Sequence, residues 1–327
     1  MRTSLVRRRI LRTPIRPPRR QPDGPAKHHA NAWLTAPPSS ETPRTALLLL
    51  NTPPRPASAL RTLWALSSYR VCADAAANRL RDSIQLAMGD DEAMVSGNPA
   101  ALRERLVRLR HVAKIHESMV PDAVTGDFDS IRPDVIDFYH ERGCTIAHDA
   151  STNSTDFDKA LRLVEEAQAS ALRSEGRHAR KWTVIAFGAF GDRFDHEMAS
   201  VNVLHRYKRF ERLILMGERM TAELLPPGRH IIRPNPLIEG PTCGLLPVGG
   251  RCEAAWTSGL RWNLRGEPLE FGGLVSSSNQ LMCDEATGAL EPVTVTCTQP
   301  LIWTTVLRPD GWPTIESRAG RLPTRRI

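Results

Sequence analysis

The chain has 327 residues, 41% of them hydrophobic, which predicts two domains with a sizeable core rather than a single domain. Its net charge of +8 would favour a nucleic-acid-binding surface if it were spread over a folded face, but residues 1–20 contain eight Arg and no acidic residue. The remaining residues are nearly neutral, which counts against a nucleic-acid partner. No apolar run approaches the ~18 residues that a membrane span needs, so no membrane association is expected.

Residues 1–43 are rich in Pro and Arg and lack apolar periodicity, so we expect a disordered basic tail. An Arg-rich, acid-poor N-terminus is also typical of a mitochondrial transit peptide, but Pro14, Pro17 and Pro18 disfavour the helix that such a peptide forms. Six cysteines without a C-x-x-C pair favour reduced thiols in an intracellular compartment. We therefore expect a cytoplasmic protein, with mitochondrial import as the alternative.

Between residues 44 and 217, short apolar runs alternate with longer amphipathic stretches. The apolar runs predict strands at 46–51, 70–74, 123–126, 144–147, 182–188 and 213–216. The amphipathic stretches predict helices at 57–67, 75–86, 133–142 and 195–207, a long helix from Pro99 and another whose start is capped by Thr155 and Asp158. Strands that alternate with helices indicate an α/β domain with a doubly wound, mostly parallel sheet.

The pattern changes in residues 218–308, where short β-prone segments are separated by turns that contain Gly and Pro. Such spacing is typical of an all-β sandwich or barrel. Residues 309–327 are again polar and basic, and we expect a C-terminal tail there. The predicted architecture is therefore an α/β domain followed by an all-β domain.

The stretch from Gly126 to Asp129 places two carboxylates, Asp127 and Asp129, one residue apart directly after a predicted strand. A turn can bring both side chains to the same side, and converging carboxylates repel each other unless a cation binds between them. Mg²⁺ prefers such oxygen ligands. The alternative is an ordinary Asp-rich turn without a ligand, because short motifs of this kind often match by chance.

Other acidic residues also follow predicted strands, at Asp74, at Asp149 and in the loop of residues 188–196. Because ligands bind beyond the carboxyl ends of parallel strands, we expect these loops to form one rim with the Asp127 turn. The chain has neither a P-loop nor a dinucleotide fingerprint. A glycine-containing loop before a helix, such as 188–196, can bind phosphate through backbone N–H groups, and Arg193 would add a cation. The alternative interpretation of this loop is a helix cap with a surface Arg.

Several blocks stand in order along the chain, at residues 126–133, 155–157 and 191–202 in the first domain and at 243–249, 259–264, 274–279 and 300–304 in the second. These blocks resemble the signature sequences of the thiamine pyrophosphokinase family. The resemblance runs in order from about residue 46 to residue 307, which makes it more specific than any single motif. It implies an α/β catalytic domain at 44–217, a β-sandwich thiamine-binding domain at 218–308, and a homodimer with active sites at the subunit interface.

The resemblance also implies a reaction, the Mg²⁺-dependent transfer of pyrophosphate from ATP to thiamine, which gives thiamine diphosphate and AMP. It assigns Mg²⁺ binding to Asp127, Asp129 and Asp156, and catalysis to these three residues together with Arg193 and Asp195. The residues that it implies for nucleotide binding are Asp74, Asn78, Arg79, Gly188, Gly191 and His196. Those that it implies for thiamine binding are Thr152, Trp262, Ser276 and Asn279. ATP and thiamine are therefore the expected partners.

The chain departs from the family pattern at two places. Residues 72–80 match the family block C-A-D-G-G-A-N-R-L, but Ala75 and Ala76 replace its two glycines. An added Cβ would strain the loop if either position requires a positive φ angle. Thr152 stands where the family often has a Gln that contacts thiamine. These departures motivate an alternative function, that of a catalytically impaired relative that binds nucleotide or thiamine without efficient transfer.

Overall fold

The computed structural model describes residues 21–22, 24–36, 42–89, 119–176, 180–191, 193–284 and 289–312, without the side chains of residues 84–89 and 309. The helix predicted from Pro99 and the side chain of Asp192 lie outside the described residues. The described helices do not include one that is long and apolar enough to cross a membrane.

Five α-helices are described, and their bounds are α1 Ala57–Leu66, α2 Ala76–Gly89, α3 Pro133–His140, α4 Asp156–Glu175 and α5 Phe194–Arg206. The first seven strands are β1 Lys27–Ala30, β2 Thr45–Leu49, β3 Tyr69–Ala73, β4 Ala123–Gly126, β5 Thr145–His148, β6 Thr183–Phe187 and β7 Arg212–Met216. The other eight are β8 Met220–Leu225, β9 Gly228–Arg233, β10 Glu239–Leu246, β11 Cys252–Ser258, β12 Arg265–Leu269, β13 Ser276–Gln280, β14 Val293–Cys297 and β15 Leu301–Leu307. Short 3₁₀ turns cover Ala32–Leu34 and Pro309–Gly311.

The main sheet contains ten strands in the order β13-β10-β15-β8-β7-β6-β2-β3-β4-β5. Strands β7, β6, β2, β3, β4 and β5 are parallel to one another. Alternate residues of β2 point to opposite faces, so Leu47 and Leu49 pack with α1, α2 and α3, whereas Ala46 and Leu48 pack with α4 and α5. Helices on both faces of a parallel sheet confirm the predicted doubly wound fold.

The second sheet contains five strands in the order β1-β9-β14-β11-β12. Its apolar side chains pack against those of the antiparallel part of the main sheet, and Ile232, Val295, Leu245 and Trp303 lie in the shared core. This arrangement confirms a β-rich second domain. The antiparallel strands nevertheless continue the α/β sheet, because β8 pairs with β7 on the other side of the predicted boundary at residue 217. A strand pattern predicts a pleated segment but does not tell which sheet the segment joins.

The prediction of a disordered N-terminal tail and that of a C-terminal tail are each wrong for part of the segment. Lys27–Ala30 form β1, which pairs in parallel with β9, and His29 in this strand is buried. At the other end, Trp312 is buried in the core cluster of the α/β domain. The N-terminal segment is held by backbone pairing and by polar side chains, so its low apolar content misled the prediction. Residues 1–20 and 313–327 lie outside the described residues.

Candidate active site

A cavity of about 390 Å³ opens beyond the carboxyl ends of β2, β3 and β6. The order of the parallel strands reverses between β2 and β6, and this point of an open α/β sheet is where ligands bind. The residues that line the cavity include Leu50, Asn51, Thr52, Asp74, Ala75, Ser130, Thr155, Asp156, Gly188, Phe190, Gly191, Arg193, His196 and Glu197. A second cavity of about 400 Å³, lined by Arg55 and Arg219 among others, shares the Gly188–Gly191 loop with the first.

Three carboxylates converge beside this cavity. Asp74, Asp127 and Asp129 each place an oxygen within 4.8 Å of the oxygens of the other two. Asp74 is 4% exposed, and its Oδ1 atom has no hydrogen-bond partner among the described residues. An ionised carboxylate is rarely buried without a partner, so the geometry has the features of a cation site. The sequence interpretation expected Asp156 as the third carboxylate of a cation site, but the third member of this group is Asp74.

The local backbone explains why these carboxylates meet. Asp74 ends β3 in the left-handed region at φ 43°, and its N–H donates to the carbonyl oxygen of Thr125 at 2.7 Å. Phe128, between the two other acids, also has a positive φ of 63°. The resulting turn brings Asp127 and Asp129 to the same side, and the N–H of Asp129 donates to Oδ1 of Asp127 at 3.3 Å. The predicted convergence of the two acids is therefore present in the structure.

Gly126 is required by space rather than by its φ angle. A Cβ atom at this position would lie 2.7 Å from the Cβ of Asp74 and 3.2 Å from Oδ1 of Asp156. A contact below 3.0 Å between two carbon atoms would force the backbone of one loop to move. Only glycine at residue 126 therefore allows the β3 and β4 loops and the start of α4 to approach this closely.

The charged groups of the site change the pKa values of Asp74 and Asp127. Burial raises the pKa of Asp74, and the neighbouring carboxylates of Asp156, Asp129 and Asp127 raise it further, although the N–H of Ala75 opposes them. The backbone N–H of Asp129 and the ammonium of Lys159 hold the pKa of Asp127 below its usual range. The site thus concentrates negative charge that a bound cation would stabilise.

Lys159 is a residue of the acidic group's surroundings that the sequence interpretation missed. Its side chain is 1% exposed, and its Nζ atom lies 3.0 Å from Oδ1 of Asp156 and 3.5 Å from Oδ2 of Asp127. Asp156 begins α4, and the two residues are on one face of the helix at i and i+3. The available signal was a lysine placed next to Ala160 and Leu161 in an otherwise apolar helical stripe.

The 188–196 loop differs from the prediction in how its backbone is used. The N–H groups of Gly188 and Ala189 both donate to the carbonyl oxygen of Met216, at 2.8 and 3.1 Å. The N–H of Gly191 donates to Oε1 of Glu197 at 2.7 Å. These three N–H groups are therefore engaged within the protein.

Among the side chains of this loop, Arg193 and His196 line the cavity as expected for nucleotide contacts. Nε of Arg193 donates to Oδ1 of Asp195 at 3.1 Å, and this ion pair lowers the pKa of Asp195. Asp195 is exposed and does not belong to the carboxylate group of Asp74, and the partner shown for it is the guanidinium of Arg193.

Asn78 and Arg79 lie behind the cavity wall. Nδ2 of Asn78 donates to the carbonyl oxygen of Ser130 at 2.9 Å, and its Oδ1 accepts from the N–H of Arg132 at 3.0 Å. Nε of Arg79 donates to Oδ1 of Asn51, which lines the cavity, at 3.1 Å. In the structure both residues brace loops of the site.

The two alanines that depart from the family pattern are accommodated without strain. Neither Ala75 nor Ala76 is among the non-glycine residues with a positive φ angle. Ala75 precedes α2 and Ala76 begins it, and both are buried. The conformational freedom of glycine is therefore not needed at either position, which removes one reason to expect impaired nucleotide binding.

The residues expected to bind thiamine divide into two places. Trp262, Ser276 and Asn279 lie together, because Nδ2 of Asn279 donates to the carbonyl oxygen of Trp262 at 2.8 Å and to Oγ of Ser276 at 3.4 Å. Trp262 is 54% exposed at this site. Thr152 is exposed in the loop between β5 and α4. None of these four residues lines the described cavity.

Comparison with known proteins identifies relatives of both domains. Residues 60–216 match the family model "Thiamin pyrophosphokinase, catalytic domain", and residues 229–302 match "Thiamin pyrophosphokinase, vitamin B1 binding domain". Thiamine pyrophosphokinase 3 of Oryza sativa subsp. japonica is 36% identical over 295 residues, which cover 87% of this chain and 97% of that protein. Thiamine pyrophosphokinase 1 of Arabidopsis thaliana is 34% identical over 288 residues, with 87% and 94% covered.

Solved structures agree on the fold. The crystal structure of yeast thiamin pyrophosphokinase superposes with a TM-score of 0.67 at 22% identity, and covers 90% of this chain and 97% of its own. The enzyme from Candida albicans superposes with a TM-score of 0.65 at 21% identity and the same coverage. Two family models match in order along the chain, and relatives above 30% identity cover most of both chains. The chain belongs to the thiamin pyrophosphokinase family.

Proposed function

We propose that this protein is a thiamine diphosphokinase, which transfers the pyrophosphoryl group of ATP to the hydroxyl group of thiamine and releases AMP. The observation that carries the proposal is that an acidic group and a cationic loop both lie at the crevice between β2 and β6. Asp74 lines the cavity and lies next to Asp127 and Asp129, and Arg193 and His196 line the same cavity. Reaction at a polyphosphate needs this combination of anion neutralisation and positioning.

We propose Mg²⁺ as the cation of the site. The carboxylates of Asp74, Asp127 and Asp129 fit it, because they supply three converging oxygens and one of them, Oδ1 of Asp74, is buried without a partner among the described residues. When bound, Mg²⁺ would neutralise charge on the phosphate oxygens and so stabilise the transition state. Asp156, which the sequence interpretation included among the ligands, lies beside this group and faces the ammonium of Lys159.

Side chains of the 188–196 loop would bind the phosphate groups of ATP. Arg193 would bind phosphate oxygens through its planar guanidinium, which Asp195 keeps oriented at the cavity mouth. His196 would contact the same phosphates from the first turn of α5. Phe190 and Thr52 line the same cavity.

We further propose a homodimer in which thiamine binds between subunits. Strand β13, which carries Ser276 and Asn279, is separated from β3 by seven inter-strand spacings of the main sheet. This amounts to roughly 34 Å along the sheet at about 4.8 Å per spacing. One chain therefore cannot bring its own Trp262 group to its own carboxylates, whereas a two-fold partner can. The exposed side chains of Trp262, Phe271 and Leu274 are apolar surface that such a partner would cover.

A mixing experiment tests this arrangement. Asp127→Asn inactivates the catalytic side of a site and Trp262→Ala the thiamine side, so each variant alone should be inactive. When the two are mixed and allowed to exchange subunits, half of the sites in each mixed dimer are intact, and about a quarter of the wild-type rate should return. If no activity returns although subunits exchange, both sides of the site belong to one chain and the dimer proposal is wrong.

The reaction itself is tested by AMP release from ATP, measured with and without thiamine and with and without Mg²⁺. Release should require both. Asp127→Asn should lower turnover by roughly a hundredfold or more while the fold is retained, because the change removes charge from the site but no core packing. Asp137→Asn, an exposed acid on α3, is the matched control and should retain activity. Absence of AMP release from pure, folded protein would instead support the catalytically impaired alternative.

We propose a cytoplasmic location, with mitochondrial import through the Arg-rich residues 1–20 as the alternative. A tagged protein that lacks residues 1–23 keeps the described strand β1 and can be compared with the full chain by microscopy. An unchanged location supports the first proposal, and a loss of mitochondrial signal supports the second.

A further inference from the structure

Lys159 is a cation enclosed at the base of an acidic site. Its side chain is 1% exposed, and its Nζ atom contacts carboxylate oxygens of Asp156 and Asp127 at 3.0 and 3.5 Å. Lysine is almost never buried to this degree unless its charge is paired. The neighbouring residues Ala160 and Leu161 belong to the apolar core, so the two carboxylates are the charged groups that this ammonium meets.

The first turn of α4 holds Lys159 in a defined position. Oγ1 of Thr155 accepts from the N–H of Asp158 at 3.2 Å, and the Asp158 side chain accepts from the N–H of Thr155 at 3.3 Å. Asp158 is in turn bound by Arg206 of α5 at 3.0 Å. This capping box, anchored to a second helix, fixes the turn that carries both Asp156 and Lys159.

Lys159 does not reach the place where substrate would bind. It is absent from the residues that line the cavity, whereas its partner Asp156 lines it directly. An ammonium in this position acts on the site through the carboxylates that it binds. Direct contact between Lys159 and a phosphate would require the ammonium to leave both of its partners.

We propose, on the basis of the function proposed above, that Lys159 is a positioning residue. Its ammonium binds the carboxylates of Asp127 and Asp156 and so holds both beside Asp74 and Asp129. It also offsets one negative charge of the four-carboxylate cluster, which prevents a cation from binding in a tighter but misplaced arrangement. The function of Lys159 is thus to set both the geometry and the affinity of the cation site.

Removing the charge of Lys159 should strengthen the binding of a cation but lower turnover. Lys159→Met removes a positive charge from the cluster, so Mn²⁺ should bind to the free protein at least tenfold more tightly. Turnover at saturating Mn²⁺ should nevertheless fall, because Asp127 and Asp156 lose their positions. Lys159→Arg keeps the charge and should restore Mn²⁺ affinity to within threefold of wild type. Lys208→Met, which removes an exposed lysine, is the matched control and should change neither quantity.

Mn²⁺ binding is measured by electron paramagnetic resonance without ATP or thiamine, so the result does not depend on the transfer reaction. Unchanged or weaker Mn²⁺ binding by folded Lys159→Met protein would overturn the proposal. A wild-type protein that binds Mn²⁺ as expected but releases no AMP would count against the proposed function and leave the Lys159 comparison valid.

A second pair of variants decides the matter if Lys159→Met does not fold. Asp156→Asn alone leaves the ammonium less compensated, and Mn²⁺ binding should weaken about tenfold. Adding Lys159→Met to Asp156→Asn removes both charges together, and the affinity should return to within threefold of wild type. If the double variant binds Mn²⁺ as weakly as Asp156→Asn, then Asp156 is itself a metal ligand and the proposal is wrong.

Discussion

Replacing Arg212 with Met should break a buried ion pair between β7 and β8 of the main sheet that also contacts the N-terminal segment. Arg212 of β7 donates to both carboxylate oxygens of Glu223 in β8, at 3.0 and 2.7 Å, and to Oδ1 of Asn31 at 2.8 Å. The side chains of Arg212 and Glu223 are each 7% exposed. The remaining partner of Glu223 is His29 of β1, at 3.2 Å.

The expected loss follows from the charge that the substitution leaves behind. Burial by itself would raise the pKa of Glu223, but Arg212 and His29 outweigh it and hold this pKa well below its usual range. Without Arg212 the carboxylate stays buried with the His29 ring as its neighbour at 3.2 Å, and breaking one partner of a buried pair costs about 3–5 kcal/mol. That is a large share of the ~5–15 kcal/mol that stabilises a folded protein.

The free energy of unfolding is measured at pH 7 by urea titration of the wild type, Arg212→Met and the double variant Arg212→Met/Glu223→Met. The double variant should regain most of the loss, because it leaves no buried charge. Arg251→Met, which breaks an exposed pair with Glu253, should have little effect on stability. If Arg212→Met is as stable as the wild type, or if the double variant is less stable than the single one, the pair does not contribute as argued.

Three further predictions concern pH, the N-terminus and the site. Burial lowers the pKa of His230 to about 4 from the usual 6.5. Between these pH values the unfolded state binds more protons than the folded state. The free energy of unfolding should therefore fall by about 3 kcal/mol as the pH drops from 6.5 to 4. Urea titration at several pH values checks this, and His230→Gln should flatten the dependence. Deleting residues 1–36 should lower the melting temperature by several degrees, whereas deleting residues 1–23 should not, because only the longer deletion removes β1. Gly126→Ala should weaken Mn²⁺ binding and turnover by tenfold or more, as seen by paramagnetic resonance and AMP release, because its Cβ would lie 2.7 Å from the Cβ of Asp74.

Much of the α/β domain could be predicted because its signals are local. Apolar runs such as residues 46–49 alternate between the two faces of one buried strand, and the strand at Ala123–Gly126 has the predicted bounds. Thr155 and Asp158 predicted the start of α4 because a capping box needs residues only three positions apart. The Asp127 turn was similarly visible as a short motif after a strand.

Other features depended on contacts between distant parts of the chain. The β1 strand contains two histidines and a lysine, and it is ordered because residues some 200 positions away offer it a strand edge and buried polar partners. The predicted phosphate-binding role of the loop remains a prediction, but the N–H groups of Gly188 and Ala189 already donate to the carbonyl of Met216 on the adjacent strand. Such competition cannot be seen in a local pattern.

The sequence by itself determined the fold class, the acidic turn after β4 and the family resemblance, since periodicity, turns and motifs are properties of neighbouring residues. Only the tertiary structure decided that Asp74, rather than Asp156, completes the carboxylate group, and that Lys159 lies beneath it. It also decided that the antiparallel strands extend the main sheet and carry the Trp262 group far from the cavity. The physical reason is that charge pairing and sheet order depend on which surfaces meet in three dimensions, and a linear pattern of residue types does not contain that information.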